Sequence, residues 1–314
     1  MKMVFMGTPE FAVPILEALN HHYEITLVVT QPDRPTGRRR TMTPPPVKTM
    51  AQSLGLPVFQ PERVRRDYGP ILDANPDVIV TAAYGQIIPK ALLDTPPFGA
   101  INVHGSLLPA LRGGAPVQRA IERGHKQTGV TIMAMNEAMD AGDIIAQATC
   151  EIEPRETAGS LFAKLSVLGR ALLLKTLPQI LDRTAPRMPQ EESEATFAYT
   201  LKKEEEQLDL TLAAQTLDAK IRAFHPTPNT YVIDPNGVRL KILTAHPSHA
   251  TTAVENNPGE IVAIDAHGVH VLTGEGLLCL TTVQPAGKKA MKATDYARGA
   301  GRDTMQIGQL LGKL

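Results

Sequence analysis

Three side chains near the middle of the 314-residue sequence, Asn102, His104 and Asp140, are of types suited to chemistry at a carbonyl carbon. If Ala100–His104 is a strand, its period of two puts Asn102 and His104 on one face and Ile101 and Val103 on the other. An amide NH2 can donate to an oxygen gaining negative charge, and an imidazole can take a proton from an attacking amine or pass it to a leaving group. Asp140 lies in Met139-Asp140-Ala141-Gly142-Asp143, a short loop after the apolar run Val130–Met135. A carboxylate there would stabilise an imidazolium and organise a water if the two loops meet at the sheet's edge. On spacing alone both stretches also read as turns, with Asn102 and His104 tied to turn backbone and the acids bonding their own downstream amides.

The elements that must position these residues alternate along the first 180 residues. Apolar runs at Lys2–Met6, Glu24–Thr30, Val78–Ala82, Ala100–His104 and Val130–Met135 read as strands. Several lack polar alternation, which implies a mostly parallel sheet covered on both faces. Helices are expected at Pro9–Asn20, Pro46–Leu54, around Arg63–Ala74, at Ala115–Arg123 and at Ala158–Leu181. Strand–helix repetition of this kind gives a doubly wound α/β domain, whose ligands bind at the C-terminal ends of its strands. Asn102 and His104 stand at such an end. The loop Gly7-Thr8-Pro9-Glu10 lacks the glycines of a dinucleotide turn and reads instead as a tight turn, with Thr8 as N-cap and Pro9 opening the helix. A dehydrogenase is disfavoured.

Composition changes at Thr184–Glu206, rich in Pro and Glu, which reads as a linker. We therefore expect a catalytic domain over 1–184, a linker over 185–207 and a second domain over 208–314. In the second domain a helix at Leu210–Phe224 precedes short strands at Thr230–Ile233, Val238–Thr244, Ile261–Ile264, Val269–Thr273 and Leu277–Val283. Close spacing and turn signals predict a small OB-like antiparallel β-barrel.

The 32 basic and 32 acidic residues cancel, so no global field draws the chain to a polyanion and any such partner needs a local patch. Residues 31–48 supply one: Arg34, Arg38, Arg39, Arg40 and Lys48 stand against Asp33 alone, a local net charge of +4. Gly37 with Pro35, Pro44, Pro45 and Pro46 makes this stretch irregular and exposed, suited to neutralising phosphates and ordering on contact. Further basic residues, among them Lys202, Lys203, Lys220, Arg222 and Lys288, follow at the linker and in the second domain. Only Cys150 and Cys279 are present, so no disulfide framework is expected and a reducing, cytoplasmic home follows. No apolar stretch approaches the ~20 residues that cross a bilayer. The pairs His246/His249 and His267/His270 have a spacing that puts strand side chains on opposite faces, with no companion motif, so no metal is expected.

Taken with the Ser106-Leu107-Leu108-Pro109 run between them, Asn102, His104 and Asp140 resemble the site of the 10-formyltetrahydrofolate-dependent formyltransferases. The resemblance continues through Phe5-Met6-Gly7-Thr8-Pro9-Glu10-Phe11, Gln31-Pro32-Asp33-Arg34-Pro35, Ala83-Tyr84-Gly85, the stretch from Asn102 to Arg119, Thr128-Gly129-Val130-Thr131, and Ile221-Arg222-Ala223-Phe224. It covers nearly the whole chain and is strongest to members that act on methionine carried by initiator tRNA. It implies that Asn102, His104 and Asp140 are catalytic, that Ser106, Leu107, Leu108 and Pro109 contact folate, and that 10-formyltetrahydrofolate is the donor substrate with no metal required. It further implies that Arg34, Arg38, Arg39, Arg40 and Lys48 belong to an insertion reaching the acceptor end of the tRNA, Arg38 aligning with its key arginine. A monomer is expected. Where the family often carries aromatic residues, Leu111, Leu210 and Thr227 stand here, and there is no Trp. Two rivals are the same donor with a small amine acceptor, an amino sugar nucleotide or glycinamide ribonucleotide, and a non-catalytic RNA-binding protein.

Overall fold

The computed structural model describes residues 1–37, 40–248 and 257–312. The chain divides into two compact units, one of Met1–Val117, Lys126–Ile152 and Leu161–Thr200, the other of Gln118–His125, Glu153–Ser160 and Leu201–Leu314.

In chain order the elements up to residue 181 are β1 (Lys2–Gly7), α1 (Val13–His22), β2 (Glu24–Val29), β3 (Arg34–Thr36), β4 (Thr41–Thr43), α2 (Pro46–Ser53), β5 (Val58–Phe59), α3 (Gly69–Asp73), β6 (Val78–Ala82), α4 (Lys90–Asp94), β7 (Ala100–His104), α5 (Pro116–Glu122), β8 (Gln127–Ala134), β9 (Ile144–Glu151) and α6 (Ala158–Leu181). Seven strands form one sheet in the order β5-β2-β1-β6-β7-β8-β9. The ladders from β5 to β7 are parallel, whereas β8 runs antiparallel to both β7 and β9. The centre is apolar on both faces: Met3 to Met6 of β1 and Val78, Ile79 and Val80 of β6 are fully buried. Such unalternating runs pack between two helical layers.

Helix α6 shows how one layer frees the opposite face of β7. A side chain at Gly169 would begin 2.9 Å from a Val103 methyl and 3.4 Å from one of Val130, so the helix sits close on the Val103 side. The alternate residues Asn102 and His104 therefore face away from α6.

Several expectations are adjusted. Thr8 does not cap a helix; its hydroxyl donates to Tyr84 O at 2.9 Å, and a short 3-10 turn at Glu10–Ala12 precedes α1. The helix expected around Arg63–Ala74 contracts to α3, which starts beside Pro70, a residue without an N–H. The strand β9 was not anticipated. Outside its first residues it alternates half-buried and exposed positions, and its Ala, Gln and Thr give a weak apolar signal. The basic stretch is not wholly irregular, because β3 and β4 pair antiparallel there.

The second unit contains α7 (Ala214–Phe224), β10 (Thr230–Ile233), β11 (Arg239–Ser248), β12 (Ile261–Ile264), β13 (Val269–Leu272), β14 (Leu277–Pro285), β15 (Met291–Lys292) and α8 (Ala293–Arg298). Its six strands are antiparallel, in the order β10-β11-β14-β13-β12 with β15 beside β14. Leu217, Ile221, Val232, Ile242, Val269, Leu278, Leu280 and Val283 share one core. The helix begins four residues later than expected, because the Leu210 and Leu212 carbonyls accept from Gly274 N instead of starting a helical turn. Of the stretch read as a linker, Met188 bridges to Ile144 and Phe197 to Arg112 in the first unit, while Gln207 bridges to Tyr231 in the second.

Candidate active site

The C-terminal ends of β6 and β7 and two loops in the first unit bring Asn102, His104 and Asp140 together. The Thr81 hydroxyl, at the end of β6, reaches Asn102 Oδ1 at 2.8 Å. That contact occupies the amide oxygen and turns Nδ2 toward Asp140 Oδ1, 3.5 Å away. The other carboxylate oxygen, Oδ2, accepts from Gly113 N at 2.9 Å and lies 3.7 Å from His104 Nδ1. His104 is buried, its side chain only 6% exposed, and Asp140 is 18% exposed, so a proton taken up by the ring would meet the carboxylate with little screening by water.

The tautomer of His104 follows from its second partner. His104 Nε2 lies 3.1 Å from Leu111 O, and a carbonyl can only accept, so Nε2 carries the hydrogen. The basic lone pair of neutral His104 is then on Nδ1, and a proton arriving there meets the Asp140 carboxylate. Both loops use strained backbone for this: Leu111 has φ +62° and Asp140 φ +50° without being glycine. Such residues cost of order 1–3 kcal/mol each and persist where surrounding bonds over-determine them. The bonds are present here: Leu111 N donates to the Thr196 hydroxyl, and Arg112 N to Thr196 O.

The loop Ser106–Pro109 is fixed from β8 and β9. The Thr131 hydroxyl donates to Ser106 O at 2.7 Å and accepts from Leu108 N at 3.1 Å, while Gln147 Nε2 donates to Leu108 O at 2.8 Å. Ser106 and Leu108 are buried and Leu107 and Pro109 half-buried.

The basic loop is organised differently. Arg34 pairs with Glu62 at 2.8 Å, and both side chains are exposed. Lys48 is tied to both oxygens of Asp33 at 2.8 Å, and Gln60 donates to the same carboxylate at 2.8 Å. These bonds, Gln60's first and then Lys48's, hold the Asp33 carboxyl below its ordinary range. Among the described residues of this set, Arg34 and Lys48 thus have acidic partners within the protein. Arg40 is exposed with φ +49°, and Arg38 and Arg39 lie outside the described residues. Arg222 of the second unit likewise binds Asp218 at 2.8 Å and Glu156 O at 3.1 Å.

His249 lies outside the described residues, and among the described residues no group of three or more His, Cys, Asp or Glu side chains is arranged to hold a metal ion. No helix among them is long and apolar enough to cross a membrane. Thr81, Thr131, Gln147 and Arg112 were missed by sequence reasoning. The first two gave a faint signal, as polar residues inside apolar strands; Arg112 and Gln147 gave none.

Residues 1–177 match the family described as formyl transferase, and residues 200–301 match the formyl transferase C-terminal domain. The chain belongs to the formyl transferase family and is an enzyme of the formyl-transfer class. Among relatives, it is 49% identical over 314 residues to the methionyl-tRNA formyltransferase of Bacillus pumilus strain SAFR-032, covering 99% of this chain and 98% of that one. It is also 49% identical over 310 residues to the methionyl-tRNA formyltransferase of Lysinibacillus sphaericus strain C3-41, covering 98% of each. The fold is shared with HypX of Aquifex aeolicus in complex with tetrahydrofolic acid, at 16% identity and a TM-score of 0.67 over 97% of this chain and 48% of HypX. It is shared too with an N-formyltransferase of Helicobacter canadensis bound to folinic acid and dTDP-3-aminofucose, at 16% identity and a TM-score of 0.63 over 89% of this chain and 99% of that one.

Proposed function

We propose that the chain transfers the formyl group of 10-formyltetrahydrofolate to the α-amino group of methionine esterified to initiator tRNA. The convergence of Asn102, His104 and Asp140 carries the chemistry of this reading. The identity with the tRNA-formylating relatives supports the acceptor.

Asn102 Nδ2 donates to the formyl oxygen as it gains negative charge, since Thr81 leaves that end of the amide pointing into the site. His104 Nδ1 takes the proton of the amine as its nitrogen bonds to the formyl carbon. Asp140 remains ionised, holding the imidazolium and a water near it. His104 then delivers the proton to the folate nitrogen as the bond between that nitrogen and the formyl carbon breaks. No proton or electron is lost overall. In this reading Leu107 and Pro109 meet the folate, and Arg38, Arg39 and Arg40 reach the acceptor end of the tRNA. Arg34 and Lys48 shape that loop through Glu62 and Asp33. The reaction belongs to translation initiation in the cytoplasm and needs one copy of the chain and no metal.

The test is transfer of label from formyl-labelled donor to purified initiator methionyl-tRNA, an amino sugar nucleotide and glycinamide ribonucleotide in parallel. Label on the tRNA alone is the expected result. Label on a small acceptor alone moves the reading to the small-amine rival, and no transfer at all leaves an RNA-binding protein.

A further inference from the structure

Gln190 belongs to the Pro- and Glu-rich stretch whose sequence suggests only a connection, yet its amide touches both sides of the site. Its Nε2 donates to Asp140 O at 2.8 Å and to Gly142 O at 2.7 Å, and its Oε1 accepts from Arg112 Nε at 3.1 Å. The orientation of the amide is fixed by chemistry, because two carbonyls can face only its NH2 and a guanidinium only its oxygen. Arg112 in turn is buried, its side chain 3% exposed, and donates through Nη1 to both Glu192 oxygens at 3.0 and 2.8 Å. The backbone follows the same path: Arg112 O accepts from Ala198 N at 2.7 Å.

The turn that Gln190 grips has few ways to hold itself. Asp140 has a left-handed backbone, and Gly142 is pressed against β8 so closely that a side-chain carbon there would start 1.8 Å from Ala134 O. Two donors from one amide fix the carbonyls on either side of Ala141 and so fix where the Asp140 carboxylate stands.

We infer that Gln190 is a positioning residue for Asp140: held by Arg112, it clamps the 140–142 turn so that the carboxylate meets Gly113 N, Asn102 and His104. This rests on the formyl-transfer reading for its kinetic consequence but not for its geometric one. Displacing a catalytic group by about 1 Å can cost about 10²-fold in rate. Gln190→Glu keeps the acceptor for Arg112 and removes both donors; Gln190→Ala removes the contact without adding a carboxylate, in case the charge disturbs folding.

Both variants are expected to lower kcat by between about 10-fold and 10²-fold, with KM for donor and tRNA changed by less than about threefold. In an Asp140→Asn background the same replacements should add almost nothing, because residues acting through one group are not additive. The Gly113 amide, whose acceptor is the Asp140 carboxylate, should exchange its hydrogen faster in both variants. An unchanged kcat, or losses that multiply with that of Asp140→Asn, would overturn the inference. If the parent transfers no formyl group, the functional reading fails, and the Gly113 exchange rate alone still decides whether Gln190 clamps the turn.

Discussion

The site around His104 and the basic loop at 31–48 both gather charged and polar side chains, but they are held in opposite ways. Around His104 each side chain proposed as catalytic is fixed by a neighbour: Asn102 by Thr81, His104 by Leu111 O, Asp140 by Gly113 N. In the basic loop Asp33 binds Lys48 and Gln60 at the base, while the residues of strands β3 and β4 are exposed, Arg34 among them pairing with Glu62. Proton transfer and oxyanion stabilisation, the roles proposed for these side chains, depend on sub-ångström placement, and the bonds already made within the protein supply it. In the proposed reading the loop meets a phosphate chain, whose recognition tolerates loose geometry and benefits from charges left to solvent, and the bonds of Asp33 to Lys48 and Gln60 at its base leave room for that.

The largest effects should come from the fixed region. His104→Ala and Asn102→Ala each remove a group aimed at the reacting atoms, and turnover should fall about 10²–10³-fold while circular dichroism remains that of the parent. Asp140→Asn should lose a similar amount, because it removes the charge that receives the proton on His104 Nδ1. Near-parental turnover in any of these variants would break the contrast, since the immobilised groups would then be doing nothing.

Next is Gly142→Ala, a substitution that removes none of the three side chains proposed as catalytic. Its added carbon must displace either the 140–142 turn or β8, at a cost of about 1–3 kcal/mol typical of overpacking. Thermal denaturation should show the loss, and turnover should fall more than stability does.

The loop should respond in binding rather than chemistry. Replacing Arg38, Arg39 and Arg40 with Ala should weaken tRNA binding and reduce its salt dependence by about 0.7–0.9 log unit per lost phosphate contact, leaving folate affinity unchanged. A triple variant that formylates initiator methionyl-tRNA as well as the parent across a salt series would make the loop a plain solvated surface and favour a small acceptor.

The smallest effect sharpens the comparison within the loop itself. Because Lys48 is tied to Asp33, Lys48→Met should leave the salt slope of tRNA binding unchanged, whereas a full unit of slope lost would make Lys48 a phosphate ligand. The tether should also show its own pH response. The Asp33 carboxyl is lowered in the folded chain, so its contribution is complete above the ordinary carboxylate range and disappears as pH falls through the lowered value. Protection of the amides at the base of the loop, measured against the intrinsic exchange rate at each pH, should fall in the parent as pH is taken from neutral into acid and be low throughout in Asp33→Asn.

The sequence by itself determined the sheet's centre, because strand segments buried on both faces must be apolar without alternation, as in Met3–Met6 of β1 and Val78–Val80 of β6. It determined the pairing of Asn102 with His104 too, since a period of two depends on local backbone alone. Tertiary structure alone decided that Asp140 joins them, because the loop carrying it is placed by β8 and by backbone bonds to residues far along the chain. It also decided which basic residues have partners, since Glu62 lies 28 residues from Arg34 in sequence. And it gave Gln190 a role, because a glutamine amide carries no signal until two carbonyls and a guanidinium have been folded against it.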